Sequence, residues 1–149
     1  MKSFFSWPRS AGMLLPSTEF AIALGAVLGA STRFTITSLV ASLQPVGLPL
    51  GTLLVNVIGC FFIGVAQTLF LELISVRREL QVLVTVGFLG GLTTFSSVSV
   101  ELVRLIQAGA LPIAAAYQLG SLVGGIVAVL AGIALARAIH RLVIARLRS

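Results

Sequence analysis

Charged residues are scarce in this 149-residue chain: they make up 9% of it, against about 25% in soluble domains. Apolar residue types make up 58%, and the mean hydropathy is +1.13. A chain of this composition folded in water would leave much of its apolar surface exposed. The scarcity of charge excludes a soluble enzyme, a nucleic-acid reader and a disordered chain. It predicts an integral membrane protein of one compact domain.

Residues that carry metal or nucleophile chemistry are also few, since the chain has one cysteine, one histidine and four acidic residues. Cys60 cannot form a disulfide within the chain, and a zinc site needs several ligands. We interpret Cys60 as an apolar packing residue and His140, which lies among arginines, as solvated or facing lipid headgroups. No acid lies at the centre of an apolar segment, so the sequence offers no proton relay and no catalytic constellation.

Four apolar segments are each long enough for a helix that crosses a membrane, which takes about 20 residues. The predicted spans are Phe20–Leu43, Leu50–Leu73, Leu80–Ile106 and Pro112–Ile139. The connections between them are short, so successive helices are expected to lie side by side and antiparallel. The sequence therefore predicts an all-α membrane protein with an N-terminal extension (1–18), a four-helix transmembrane domain (19–140) and a basic C-terminal tail (141–149).

The basic residues are concentrated on one predicted side of the membrane. An even number of spans puts both termini and the central connection on the same side. That side then holds Lys2, Arg9, Arg77, Arg78, Arg137, Arg141, Arg146 and Arg148. The positive-inside rule predicts that this side is cytoplasmic. The same placement favours anionic headgroups over a nucleic acid as the partner of the net charge of +6.

Small residues recur four positions apart in the predicted spans, as in Gly25 with Gly29, Gly87 with Gly91, and Gly120 with Gly124. In lipid, this spacing lets the backbones of two helices approach closely. We therefore predict that these glycines serve helix packing and carry no chemistry.

A few polar residues lie inside the spans, where an unpaired charge costs several kcal/mol. Arg33 lies about fourteen residues into the first span; it either serves a buried site or reaches back to the interface with its long side chain. Asn56 in the second span either serves a site or hydrogen-bonds a neighbouring helix. Glu101 and Arg104 are three residues apart near the end of the third span, and this spacing predicts an ion pair within the helix.

The segment Gly87–Ser99 is the strongest local signal in the chain. It places three glycines and then five hydroxyl residues around one phenylalanine in the middle of the third span. Glycine pairs and β-branched threonines weaken a helix, so we predict a break in the backbone here. Carbonyls freed at such a break must be buried in protein or face water or an ion. In the fourth span, Tyr117, Ser121 and Gly125 form a stripe on one face.

At these residues the sequence resembles the CrcB/Fluc family of small fluoride channels. The resemblance covers about residues 20–139, with motifs on all four spans in order. The matching pieces are Gly29–Phe34, Gly51–Asn56 with Gly59, Gly87–Ser99 followed by Glu101, and the stripe of Tyr117, Ser121 and Gly125. The resemblance implies passive export of fluoride from the cytoplasm across the plasma membrane.

The resemblance also implies an assembly and a set of site residues. The assembly is an antiparallel dual-topology dimer with two fluoride pathways and a structural sodium ion at the interface. The backbone carbonyls of Gly90 and Thr93 would hold the sodium. The pathway would use Asn56, the ring edge of Phe95, Ser121 and Tyr117, with Thr94 and Ser97 as nearby hydroxyls and Arg33 near the anion vestibule.

Two features depart from the family pattern. Members commonly carry a second phenylalanine three residues after the first, and here that position is Val98. Dual-topology proteins usually show little charge bias, and this chain has a strong one. Together these features raise a heterodimer with an oppositely oriented paralogue as the alternative to a homodimer. Outside the channel class, the sequence leaves open a small multidrug-type exporter, which would need a central carboxylate that is missing here, and a purely structural subunit.

Overall fold

The computed structural model describes residues 16–43 and 48–147, and they form helices joined by short connections. Helix α1 is Pro16–Leu43, and α2 is Leu50–Thr68 with a wider π-helical turn at Leu69–Leu73. Helix α3 (78–92) consists of Arg78–Val82, a π-helical stretch Leu83–Leu89 and Gly90–Leu92. Helix α4 is Phe95–Gln107 and α5 is Leu111–Leu147. Most of the predicted N-terminal extension lies outside the described residues.

Four helical stretches are long and apolar enough to cross a membrane, and they confirm the predicted all-α membrane fold. They are Thr18–Leu43, Leu50–Leu73, Arg78–Gln107 and Leu111–Arg146. The first three agree with the predicted spans to within two residues at each end. The fourth continues well past Ile139, into the segment predicted as a basic tail. No proline or glycine follows Gly132 in the sequence to end this helix, and alanine, leucine and arginine all favour its continuation.

The helices pack in pairs, α1 mainly against α3 and α2 mainly against α5. Glycine allows the closest approach of α1 to α3. A Cβ atom added to Gly87 would lie 2.7 Å from the Ile22 carbonyl oxygen, and one added to Gly25 would lie 2.8 Å from the Phe88 nitrogen. The predicted packing role of these glycines is therefore confirmed. For Gly120 the prediction of a packing role is wrong within the described chain, since no atom of another helix lies within 4 Å of an added Cβ.

A tight turn separates α4 from α5. Gly109 has a φ of 73°, in the left-handed region that favours glycine, and the Ala110 N–H donates to the Leu105 carbonyl at 2.9 Å. This is the arrangement that commonly ends helices at a glycine. Helix α5 then begins at Leu111 with Pro112 in its first turn, as the sequence predicts.

The outer surface of the helices is strongly apolar. Large side chains such as Phe20, Leu43 and Phe95 are mostly exposed in the single chain. Lipid or a second chain must cover these faces, because exposing apolar surface to water is unfavourable.

An ion pair joins two helices at the end of the structure where the basic residues lie. Arg137 of α5 donates two hydrogen bonds to the carboxylate of Glu72, at the end of α2, at 2.7 and 2.9 Å.

We expect Gly25→Ala to lower the stability of the fold by about 1–3 kcal/mol, because the added methyl group meets the backbone of α3 and the two helices must move apart. Thermal unfolding in detergent would measure the change. The matched control is Gly120→Ala, which adds the same atom to open space and removes a helix-weakening glycine. Equal losses in the two variants would contradict this account of the packing.

Candidate functional site

The helical backbone is interrupted between α3 and α4. Thr93 has φ −80° and ψ 153°, and Thr94 has φ −152° and ψ 127°, so both residues are extended. The interruption lies in the middle of the stretch Arg78–Gln107, which is the third candidate span. In hydrocarbon, backbone groups that leave the helix need other partners.

Asn56 of α2 supplies those partners to Thr94. Its Nδ2 donates to the Thr94 carbonyl oxygen at 2.9 Å, and its Oδ1 accepts from the Thr94 N–H at 2.7 Å. One amide side chain thus satisfies both backbone groups of an extended residue. Of the two roles that the sequence leaves open for Asn56, hydrogen bonding to a neighbouring span is confirmed.

The side chain of Thr94 begins the next helix. Its hydroxyl accepts from the Ser97 N–H at 3.2 Å, which is an N-cap of α4. The hydroxyls of Ser96 and Ser97 lie 3.0 and 3.2 Å from the same oxygen. The sequence predicts the break in this segment but not the cap, whose signal is a threonine just after the glycine-rich stretch and directly before the new helix.

The carbonyls of Gly90 and Thr93 lose their usual partners at the break. In an unbroken helix they would accept from the N–H groups of Thr94 and Ser97, four residues on. The Thr94 N–H donates to Asn56 instead, and the Ser97 N–H donates to the Thr94 hydroxyl. The Thr93 carbonyl receives one long contact of 3.4 Å from a guanidinium nitrogen of Arg33. Two carbonyl oxygens with unused acceptor capacity suit a hard cation.

A groove of about 530 Å³ runs along the break, between α2 and α5. We call it the central groove. Its lining includes five of the predicted site residues: Asn56, Thr93, Thr94, Phe95 and Ser121. Phe95 is 76% exposed. The rest of the lining consists of Gln118 and of mostly apolar residues such as Val98 and Leu122, and none of the described residues that line the groove is charged.

Tyr117, Ser97 and Arg33 lie outside the central groove. Tyr117 is 2% exposed, and its hydroxyl donates to Glu101 Oε2 at 2.6 Å. Ser97 lines a smaller groove of about 330 Å³ together with Ser96, Val100, Glu101 and Arg104. Arg33 is half-buried, with its guanidinium near the break.

The predicted ion pair between Glu101 and Arg104 is wrong. Both carboxylate oxygens of Glu101 accept from hydroxyls of other helices, from Thr52 of α2 at 2.6 Å and from Tyr117 of α5 at 2.6 Å. The carboxylate therefore joins three helices at one point. Glu101 and Arg104 also line a further groove of about 390 Å³ with Thr37 and Thr52, beside Leu48 and Pro49.

Comparison with known proteins was made on the whole chain. Residues 20–133 match a family model described as "CrcB-like protein, Camphor Resistance (CrcB)". Three similar proteins carry the name "Fluoride-specific ion channel FluC". The one from Stutzerimonas stutzeri is 43% identical over 118 residues, which are 79% of this chain and 95% of that protein. The one from Pseudomonas putida is 44% identical over 117 residues, 78% and 94% of the two chains. The one from Prosthecochloris aestuarii is 43% identical over 121 residues, 81% and 94% of the two chains.

We expect Thr52→Val and Tyr117→Phe each to lower the stability of the fold by about 1–3 kcal/mol, because each leaves an oxygen of the half-buried Glu101 carboxyl without its donor. Unfolding in detergent by increasing denaturant would measure the loss. Thr32→Val is the control for Thr52→Val, since the Thr32 hydroxyl donates only within its own helix, to the Leu28 carbonyl. A loss at Thr32 as large as that at Thr52 would contradict the role given to Glu101.

Proposed function

This chain belongs to the CrcB family, and from that premise we propose that it is a fluoride-specific ion channel that lowers cytoplasmic fluoride by passive export. Its relatives carry the name of an ion channel and not of an enzyme, and with four candidate spans this chain is a multi-pass protein of the bacterial plasma membrane. The observation that carries the proposal is the central groove, which two side-chain amides, three hydroxyl residues and a phenyl ring line beside a backbone break.

The chemistry of the central groove suits a small, strongly hydrated anion. To enter, fluoride must exchange water for compact hydrogen-bond donors. An asparagine amide carries two N–H donors, and Asn56 uses one on the Thr94 carbonyl. The other remains for an anion, as does the hydroxyl of Ser121. The edge of the Phe95 ring is the positive rim of its quadrupole, so it can face an anion without holding it as a full charge would.

The groove supports a channel over a proton-coupled exporter. Such an exporter needs an acid on the transport path that gains and loses protons. The acid nearest to the break is Glu101, whose two oxygens are engaged by Thr52 and Tyr117, and it does not line the central groove. Neutral donors in succession instead favour weak binding and release, which passive conduction requires.

We further propose an antiparallel dimer that holds a structural sodium ion at the carbonyls of Gly90 and Thr93. Gly90 is exposed in the single chain, and both carbonyls have lost their helical donors. One chain supplies these two oxygens, and two chains that meet at their breaks would supply four. The exposed Phe95 beside the break would then be covered by the second chain. A sodium ion would balance the partial negative charge where the carbonyls meet.

We propose that the partner in this dimer is a second copy of the same chain. The basic bias that raises a paralogue as the alternative partner lies at one end of the described helices, at Arg77, Arg78, Arg137, Arg141 and Arg146. In the homodimer, one of the two copies must place these residues on the side that the positive-inside rule disfavours, whereas pairing with an oppositely oriented paralogue would let this chain keep them on the favoured side.

We expect liposomes that contain the purified protein to release fluoride passively under a voltage and to retain chloride. A fluoride electrode would follow the release. Phe95→Leu should slow it about two- to tenfold, the rate equivalent of the about 0.5–1.5 kcal/mol that an aromatic contact contributes. The control is Phe20→Leu, another largely exposed ring outside the groove. Release that required a proton gradient, or none at all, would refute the channel.

We expect the chain, expressed alone and purified in sodium chloride, to be a dimer by light scattering after size exclusion. Replacing sodium by N-methylglucamine at the same ionic strength should weaken the dimer, because the facing carbonyls then lack a balancing cation. A dimer equally stable without sodium would count against the ion. A monomer in both buffers would count against the homodimer and favour an oppositely oriented partner.

A further inference from the structure

Gln118 is a polar residue of the central groove that the sequence analysis did not single out. It lies on α5 three residues before Ser121 and seven before Gly125, a spacing that puts all three on one face of a helix. All three residues line the central groove. Gln118 thus extends the polar side of the groove by one helical turn beyond Ser121.

The side-chain oxygen of Gln118 has no partner within residues 16–43 and 48–147. This Oε1 atom is fully buried and accepts no hydrogen bond there. Buried side-chain amides are nearly always hydrogen-bonded in native proteins, because an unpaired polar group is unfavourable away from water. A methionine or leucine would fill the same space on α5 without that cost. The unsatisfied Oε1 atom is an acceptor, so its partner must be a donor such as a water molecule in the groove, which leaves the N–H groups of the amide to donate to an anion.

The residues around Gln118 in the central groove indicate which kind of ligand the groove would hold. Val98 and Leu122 line the same groove and offer no hydrogen-bond donor or acceptor. The polar groups of the groove are neutral amides and hydroxyls, whose N–H and O–H groups donate. A glutamine amide adds two more N–H donors, and its oxygen can accept from a water molecule that accompanies the ion.

From this geometry we infer that Gln118 is a specificity-determining residue of the central groove, whose amide N–H group donates to a partly dehydrated halide. The inference rests on the fluoride channel proposed above. A small anion loses more hydration free energy on entering a groove than a large one, so each donor matters more to fluoride than to chloride. Removing the amide should therefore slow fluoride and lower the preference for fluoride over chloride.

The test uses two substitutions at Gln118 in the full-length protein. Gln118→Met keeps the length of the side chain and removes the amide; we expect it to slow fluoride release from liposomes about two- to tenfold. The thermal stability should be unchanged or higher, since the unpaired oxygen is gone. Gln118→Asn keeps an amide on a shorter side chain and should restore part of the rate. The matched control is Gln67→Met, at an exposed position of α2 outside the groove, which should behave as the wild type.

Two results at Gln118 would overturn the inference. One is a Gln118→Met variant that releases fluoride at the wild-type rate and with the wild-type preference over chloride. The other is a loss of rate that parallels a loss of thermal stability and that Gln118→Asn does not relieve, since that pattern indicates packing alone. Failure of the proposed function itself is distinct, because the wild-type protein would then release no fluoride.

Discussion

The pairing of the Asn56 amide with both backbone groups of Thr94 is the interaction on which the rest of the site depends. In the hydrocarbon core there is no water to bond a backbone group that leaves a helix, and each unpaired group costs several kcal/mol. Asn56 removes that cost at Thr94. The interruption then frees the carbonyls of Gly90 and Thr93, lets the Thr94 hydroxyl cap α4, and places Phe95 at the start of a new helix beside the central groove.

Close packing holds the break beside Asn56. Gly59 lies three residues after Asn56 on α2, and a Cβ atom there would collide with the methyl group of Thr93. On the other side, Gly91 of α3 packs so closely on α1 that an added Cβ would lie 2.7 Å from the Ala26 carbonyl oxygen. The extended residues are thus fixed between two helices, which limits the positions that the freed carbonyls can take.

The spans and the turn at Gly109 could be predicted from the sequence, because apolar runs and helix-ending glycines are local signals. The partners of Glu101 could not. Its spacing to Arg104 suggests a pair within one helix, but the rule for such pairs takes no account of other helices. The hydroxyls of Thr52 and Tyr117 are 49 and 16 residues away in sequence, and folding brings them to the carboxylate. Gln118 shares a helical face with Ser121 and Gly125, which its spacing could have shown, but only packing shows that its side-chain oxygen has no partner.

Arg33 connects the anion groove to the proposed cation site through the Thr93 carbonyl. A guanidinium and a sodium ion would compete for that oxygen, since both are cations that seek partial negative charge. The contact from Arg33 is 3.4 Å long, beyond the usual range of a hydrogen bond, so it is weak. A sodium ion shared by two chains could therefore displace the guanidinium at low cost. Arg33 would then be free to attract an anion toward the neutral donors of the central groove without binding it inside.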